Sequence, residues 1–260
     1  MQPSGLTIRN DTLLTISDKD DSTIFWIELG EKEAFLHPFL RFRLPESISI
    51  PADFEGITLD EEGTIYLISE SLFRILKVRT DGSPAEWITP SLKPWGQREG
   101  LFRKRNANLE GITWIGGNQF ILCQEREPRG MLTVRIESDA VRVKAFQLDE
   151  SIFPFPKGRK PDFAGLYWFQ QNLYVLERNP SIVARLVEAD SGFVEKNGWS
   201  YGHVESRDSL RYTDIRYGLA EGLAMDKNFV YIVLDNNGDA RYIDPDNRRA
   251  QLFVFHWSGN

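Results

Sequence analysis

A short phrase recurs five times along this chain, and few folds accommodate it. It reads SGLTIRNDTLLTISD from Ser4, EGITLDEEGTIYLISE from Glu55, EGITWIGGNQFILCQE from Glu110, AGLYWFQQNLYVLE from Ala164 and EGLAMDKNFVYIVLD from Glu221. Each copy runs through a Gly, an apolar residue, a β-like run, a turn, a second β-like run and an acid. The glycines Gly5, Gly56, Gly111, Gly165 and Gly222 give periods of 51, 55, 54 and 57 residues. A repeat of that length built from strands marks a propeller blade, whereas a helical array would carry a different period and pattern.

Within each repeat the hydrophobic runs and turn residues predict four strands joined by tight turns, the make-up of a blade. The second repeat is the clearest, with runs at 57–59, 65–69, 73–79 and 85–88. In the first, Pro38 suits an edge strand, because proline has no N–H to give a neighbour. In the fourth, the outer strand near Phe193 is poorly defined. In the fifth, 241–243 and 251–257 are expected as the third and fourth strands. From Gly222 through the C-terminus and on to Gly5 is 43 positions, close to one more period. The alternative, a six-bladed ring, needs roughly 40 more residues. The expectation is therefore an all-β, five-bladed β-propeller of four-stranded antiparallel blades, filling 1–260 as a single domain. The first and last repeats are each complete, so no strand swap is expected to close the ring.

A net charge of −7 argues against general nucleic-acid binding. No apolar run is long enough for a membrane helix. No leader is visible, and the compartment is left open: a soluble protein is expected, periplasmic or secreted if a leader was removed and otherwise cytoplasmic. The lone Cys123 lies in the apolar run FILCQE and reads as a core residue. His37 and His256 fall in outer strands, and His203 in a connection. No GxSxG phrase and no P-loop is present.

In a blade, the connection entering the innermost strand and the end of the second strand lie at the same rim. That rim gathers acids. The residues before the repeated Gly are Ser4, Glu55, Glu110, Ala164 and Glu221, and the acids ending the second strand are Asp18, Glu70, Glu125, Glu177 and Asp235. Buried carboxylates cost several kcal/mol each unless neutralised, protonated or wetted. For the outer acids, pairing with Arg126, Arg178 or backbone is expected. For Glu55, Glu110 and Glu221 a bound cation is expected, and oxygen ligands without His or Cys favour Ca²⁺, with Mg²⁺ as the alternative.

The repeated EGI…ISE and EGL…VLD, with the opening SGL…ISD, resemble the phytase-like propellers with esterase-like activity and the SdiA-regulated group. The likeness covers nearly the whole chain. A more distant resemblance is to the gluconolactonase and regucalcin family, in which residues before the axial Gly hold a divalent cation. That likeness implies the same role for Glu55, Glu110 and Glu221. The family mixes Asn and Asp with one Glu, so three Glu is a departure.

The expected function is a divalent-metal-dependent hydrolase of an anionic ester, lactone or phosphoester at the channel mouth. Asp235 or Glu125 would serve as general base. The connections at 91–108, 151–162 and 197–218 are rich in basic and aromatic residues. Arg126, Arg178, Lys160, Arg211 and Arg216 are the candidates for binding a small anionic substrate. Arg103, Lys104, Arg105, Lys157 and Arg159 would add to the steering field. The alternative is a non-catalytic propeller with a structural metal, holding a protein or glycan through Trp95, Phe102, Trp199, Tyr201, Tyr212 and Tyr217. A monomer is expected.

Overall fold

The computed structural model describes residues 2–45, 48, 50–190, 192–213 and 218–257. Five antiparallel sheets follow one another in chain order. The first holds β1 (Pro3–Arg9), β2 (Thr12–Ser17), β3 (Asp20–Leu29) and β4 (Ala34–Arg41). The second holds β5 (Phe54–Leu59), β6 (Ile65–Ser69), β7 (Arg74–Val78) and the two-residue β8 (Glu86–Trp87). A short helix, α1 (Lys93–Arg98), precedes the third, which holds β9 (Leu109–Gly116), β10 (Gln119–Gln124), β11 (Gly130–Ile136) and β12 (Val141–Gln147). The fourth holds β13 (Gly165–Phe169), β14 (Asn172–Glu177), β15 (Ile182–Ala189) and β16 (Gly192–Ser200). After the one-turn α2 (Gly202–Glu205), the fifth holds β17 (Ala220–Met225), β18 (Phe229–Leu234) and β19 (Gln251–His256). This is the expected five-bladed propeller. No helix among the described residues is long and apolar enough to cross a membrane.

Two details differ from the sequence reading. The outer strand of blade four is nine residues long, so the connection expected from residue 197 begins after residue 200. Blade five has three strands, because β19 pairs directly with β18. The expected strand at 241–243 is reduced to a single bridge between Arg241 and Tyr212. The preceding segment is closed on itself, since Asn236 Nδ2 donates to the carbonyls of Asp239 (2.6 Å) and Arg248 (2.9 Å). Residues committed to that turn cannot extend into a strand.

The innermost strands β1, β5, β9, β13 and β17 surround the axis. A Cβ on Gly56 would lie 2.9 Å from the Ile112 nitrogen and 3.0 Å from Gly111 Cα, so only glycine fits that approach. A Cβ on Gly222 would lie 2.8 Å from the Gly5 carbonyl carbon. The ring thus closes by packing β17 against β1, without a shared strand.

The core is divided among the seams. One buried apolar cluster lies between each neighbouring pair of blades, such as Ile68, Ile75, Leu109 and Leu122 between blades two and three. Burying a large aliphatic side chain contributes about 1.5–3 kcal/mol, so these seams carry much of the stability. Cys123 belongs to the seam between blades three and four, and burial pushes its thiol pKa well up, as expected of a core residue.

Candidate functional site

The acids reach the axis through a local irregularity. On β5, Phe54 pairs with Ser69 and Gly56 with Ile68, leaving Glu55 as an extra residue. The same shift leaves Glu110 between Leu109 and Gly111, and Glu221 between Ala220 and Gly222. A β-bulge re-aims the side chain it carries. All three glutamates therefore sit on bulges at one rim, and all three line one narrow axial void of about 10 Å³ beside the ring glycines. That void has room for about one water. On β1 the register shifts at the matching place, where Ser4 Oγ donates to the Phe54 carbonyl at 2.7 Å. On β13, pairing runs uninterrupted from Gly165, beside Ala164.

Below the glycines, Tyr167 lines a cavity of about 340 Å³ with Thr7, Thr58, Thr113 and Trp168. The hydroxyl of Tyr167 reaches the backbone of Ile8 and Met225, on blades one and five.

At the rim the carboxyls divide into two groups. The first centres on Asp18, Asp53 and Glu55, whose ligand oxygens lie within 4.8 Å of one another. Lys19 contacts Asp18, yet Asp18 Oδ1 is buried with no hydrogen-bond partner. Asp53 also faces Glu70, whose Oε1 accepts from Asn108 N (3.1 Å) and Nδ2 (3.2 Å). Burial first, then Glu110 and Glu221, raise the Glu55 pKa well above the ordinary carboxyl range. Glu70 is pushed up to about 8, by burial and then Glu110.

The second group surrounds Arg178. Its Nη1 donates to Glu221 Oε1 at 2.6 Å and its Nε to Asp162 Oδ2 at 2.8 Å, while Nη2 contacts Glu125. Arg126 also contacts Glu125. Burial pushes Glu110 up to about 8 and Glu221 to about 7, opposed in both by Arg178. Among the described residues the tight set of three ligand groups is Asp18, Asp53 and Glu55. Of the expected triad, Glu55 belongs to it, Glu221 is tied to Arg178, and Glu110 lies between them.

The remaining expected residues fall as follows. Asp235 accepts from Asn237 N at 2.8 Å and senses Asp18 and Lys19 across the seam between blades five and one. Glu177 pairs with Arg129 (2.8 Å), whose other nitrogen reaches Glu195 at 2.5 Å, all three groups buried. Arg126 and Arg178 line a polar cavity of about 230 Å³ with Glu125, Asp162 and Glu221. Lys160 is largely exposed and pairs with Glu127 at 3.4 Å. Lys104 reaches the same Glu127 at 2.5 Å. Arg159 donates to the Asn179 carbonyl at 3.0 Å. Arg211 pairs with Asp208 at 2.8 Å and lies over the Tyr242 ring. Arg216 and Tyr217 lie outside the described residues. Of the aromatics expected to contact a partner, Phe102, Tyr201 and Tyr212 are instead buried, because they pack between and over the blades.

Sequence reasoning missed Asp53, Asp162, Lys19 and Arg129. A signal for the first two exists: the third residue before the repeated Gly is Asp53, Asn108 and Asp162 in blades two to four. Each serves the rim, with Asn108 holding Glu70 and Asp162 holding Arg178 and the Asn179 N–H (3.0 Å).

A divalent cation fits the first group on its chemistry. Three hard oxygen donors converge there, and one oxygen is buried without a partner, which a cation would relieve.

No family model and no curated relative matches the sequence, so the phytase-like and SdiA-regulated resemblance is carried no further. The chain is similar to the solved structure of glutaminyl cyclase from Myxococcus xanthus, with 12% identity over 97% of this chain and 91% of that one and a TM-score of 0.51. It is similar to a chain of a nidogen/laminin complex, with 16% identity over 98% and 80% and a TM-score of 0.50. A candidate gluconolactonase matches with 12% identity over 96% and 77% and a TM-score of 0.47. At such identities the first two likenesses bear on the fold alone.

Proposed function

We propose that the channel mouth binds a divalent cation on Asp18, Asp53 and Glu55 and acts as a hydrolase of a small anionic ester, lactone or phosphoester. The observation that carries this reading is the convergence of one carboxyl oxygen from each of these residues within 4.8 Å of one another, with Asp18 Oδ1 buried and without a hydrogen-bond partner. Calcium is the first choice and magnesium the second, given an all-oxygen donor set. When bound, such an ion supplies Lewis-acid polarisation of a carbonyl or phosphoryl oxygen and lowers the pKa of a water.

The chain's own residues supply the rest. Asp235, raised in pKa by burial and then by Asp18, would take a proton from a water. Arg126 and Arg178 orient the anionic group in the adjoining cavity, with Glu125 fixing both guanidiniums in place. Lys160, Arg211 and Arg216 add long-range attraction.

A second reading keeps the cation but makes it structural. Its support is that Arg178 already ties Glu125, Asp162 and Glu221, from three successive blades, into a static ion cluster. The test is a screen of chromogenic esters, lactones and phosphoesters on chelator-stripped and calcium-loaded protein, with Glu55→Gln and Glu110→Gln alongside. Calcium-dependent turnover lost in the folded variants supports the hydrolase. Calcium-dependent melting with no turnover on any class supports the structural reading.

A further inference from the structure

Each blade of a propeller ends in an outer strand whose outward N–H and C=O groups form an open template for another chain. Four of the five outer strands here are guarded. β4 carries Pro38 and a bulge at the Ile24/Phe25 register shift. β8 is two residues long. β12 presents Arg142 and Lys144. β16 carries Glu195 and Lys196 and a register shift opposite Arg185/Leu186.

β19 has none of these. Its sequence QLFVFH holds no Lys, Arg, Asp, Glu or Pro, and its pairing with β18 is regular throughout. It is also the outer strand of the one blade that stops at three. Trp257 N donates to the Asn228 carbonyl, which places alternate residues 251, 253 and 255 in hydrogen-bonded pairs with β18. The N–H and C=O of Leu252, Val254 and His256 therefore point away from the sheet. Among the described residues no strand pairs with that edge. Val254 is 46% exposed.

We propose that β19 pairs antiparallel with β19 of a second copy of this chain, about a twofold axis at Val254. Three outward residues spaced symmetrically about Val254 are self-complementary: Val254 faces Val254, and Leu252 faces His256. Every outward N–H and C=O then finds a partner. The uncharged strand sets no like charges opposite each other, which would weaken a symmetric pair. The missing fourth strand of blade five is thereby supplied in trans. This replaces the monomer expected from the sequence. An edge contact of this size gives a weak, concentration-dependent dimer.

Sedimentation velocity on the full chain, from about 1 to about 300 µM, tests this by mass action. A monomer–dimer equilibrium is expected. Val254→Pro removes an outward N–H that β18 does not use, and Val254→Lys sets two cations face to face. Both are expected to weaken association at least about tenfold with the melting temperature little changed, while Val254→Thr keeps it. Amides of Leu252, Val254 and His256 should exchange more slowly as concentration rises. A monomer at every concentration, or a dimer unaffected by both folded variants, overturns the proposal.

Discussion

Arg178 donates to Glu221 at 2.6 Å across the seam between blades four and five. The same guanidinium holds Asp162 at the foot of its own blade and Glu125 from blade three. One side chain thus neutralises acids from three successive blades. Breaking a buried ion pair by removing one partner costs about 3–5 kcal/mol. Arg178→Met is therefore expected to lower the urea midpoint by that amount of stability at neutral pH. The deficit should shrink in mild acid, where the abandoned carboxyls take up protons. An unchanged midpoint would mean that the cluster is solvated.

Glu177 makes the pH dependence explicit. Burial pushes its carboxyl up to about 9, with Glu195 adding to the rise and Arg129 opposing it. A glutamate in the unfolded chain titrates near about 4.3. The folded state holds this proton more tightly, so the stability it contributes is whole below the unfolded value and is lost as pH rises through about 9. Glu70, Glu110, Glu221 and Asp162 are raised in the same direction. With chelator present, the melting temperature should fall from about pH 5 to about pH 9, and Glu177→Gln should flatten part of that fall.

Tyr167 lies on the far side of the ring glycines from the acids, with its hydroxyl against the backbone of Ile8 and Met225. Removing one hydrogen-bonded hydroxyl costs about 1 kcal/mol. Tyr167→Phe should lose about that much stability while leaving calcium affinity at the rim unchanged, as judged by titration calorimetry. A large loss of calcium affinity would show that the rim site depends on packing at the opposite end of the ring.

The ring was legible because two physical demands leave marks on the sequence. Inner strands that approach as closely as those at Gly56, Gly111 and Gly222 leave little or no room for a side chain, so glycine recurs there with the blade period. Two-sided packing of each hairpin demands the paired apolar runs. Blade five's missing strand was not legible, because the segment from Asn236 to Arg248 is held by side chain to backbone bonds and has no periodicity. The rim acids were legible as a set, but their division was not. Whether Glu221 faces a metal or a guanidinium depends on Arg178, 43 residues earlier, reaching across a seam. Asp53 went unread because it lies outside the pairing, at φ +56° in a short connection.

The central claim is that Asp18, Asp53 and Glu55 form a cation site, and calcium titration of chelator-stripped protein tests it most directly. Titration calorimetry should show saturable binding, with a rise in melting stability of about 2.7 kcal/mol at a hundred-fold excess over Kd. Asp53→Asn and Glu55→Gln should abolish both signals while the variants remain folded. No heat and no shift in the wild type, or binding that survives both substitutions, would contradict the account.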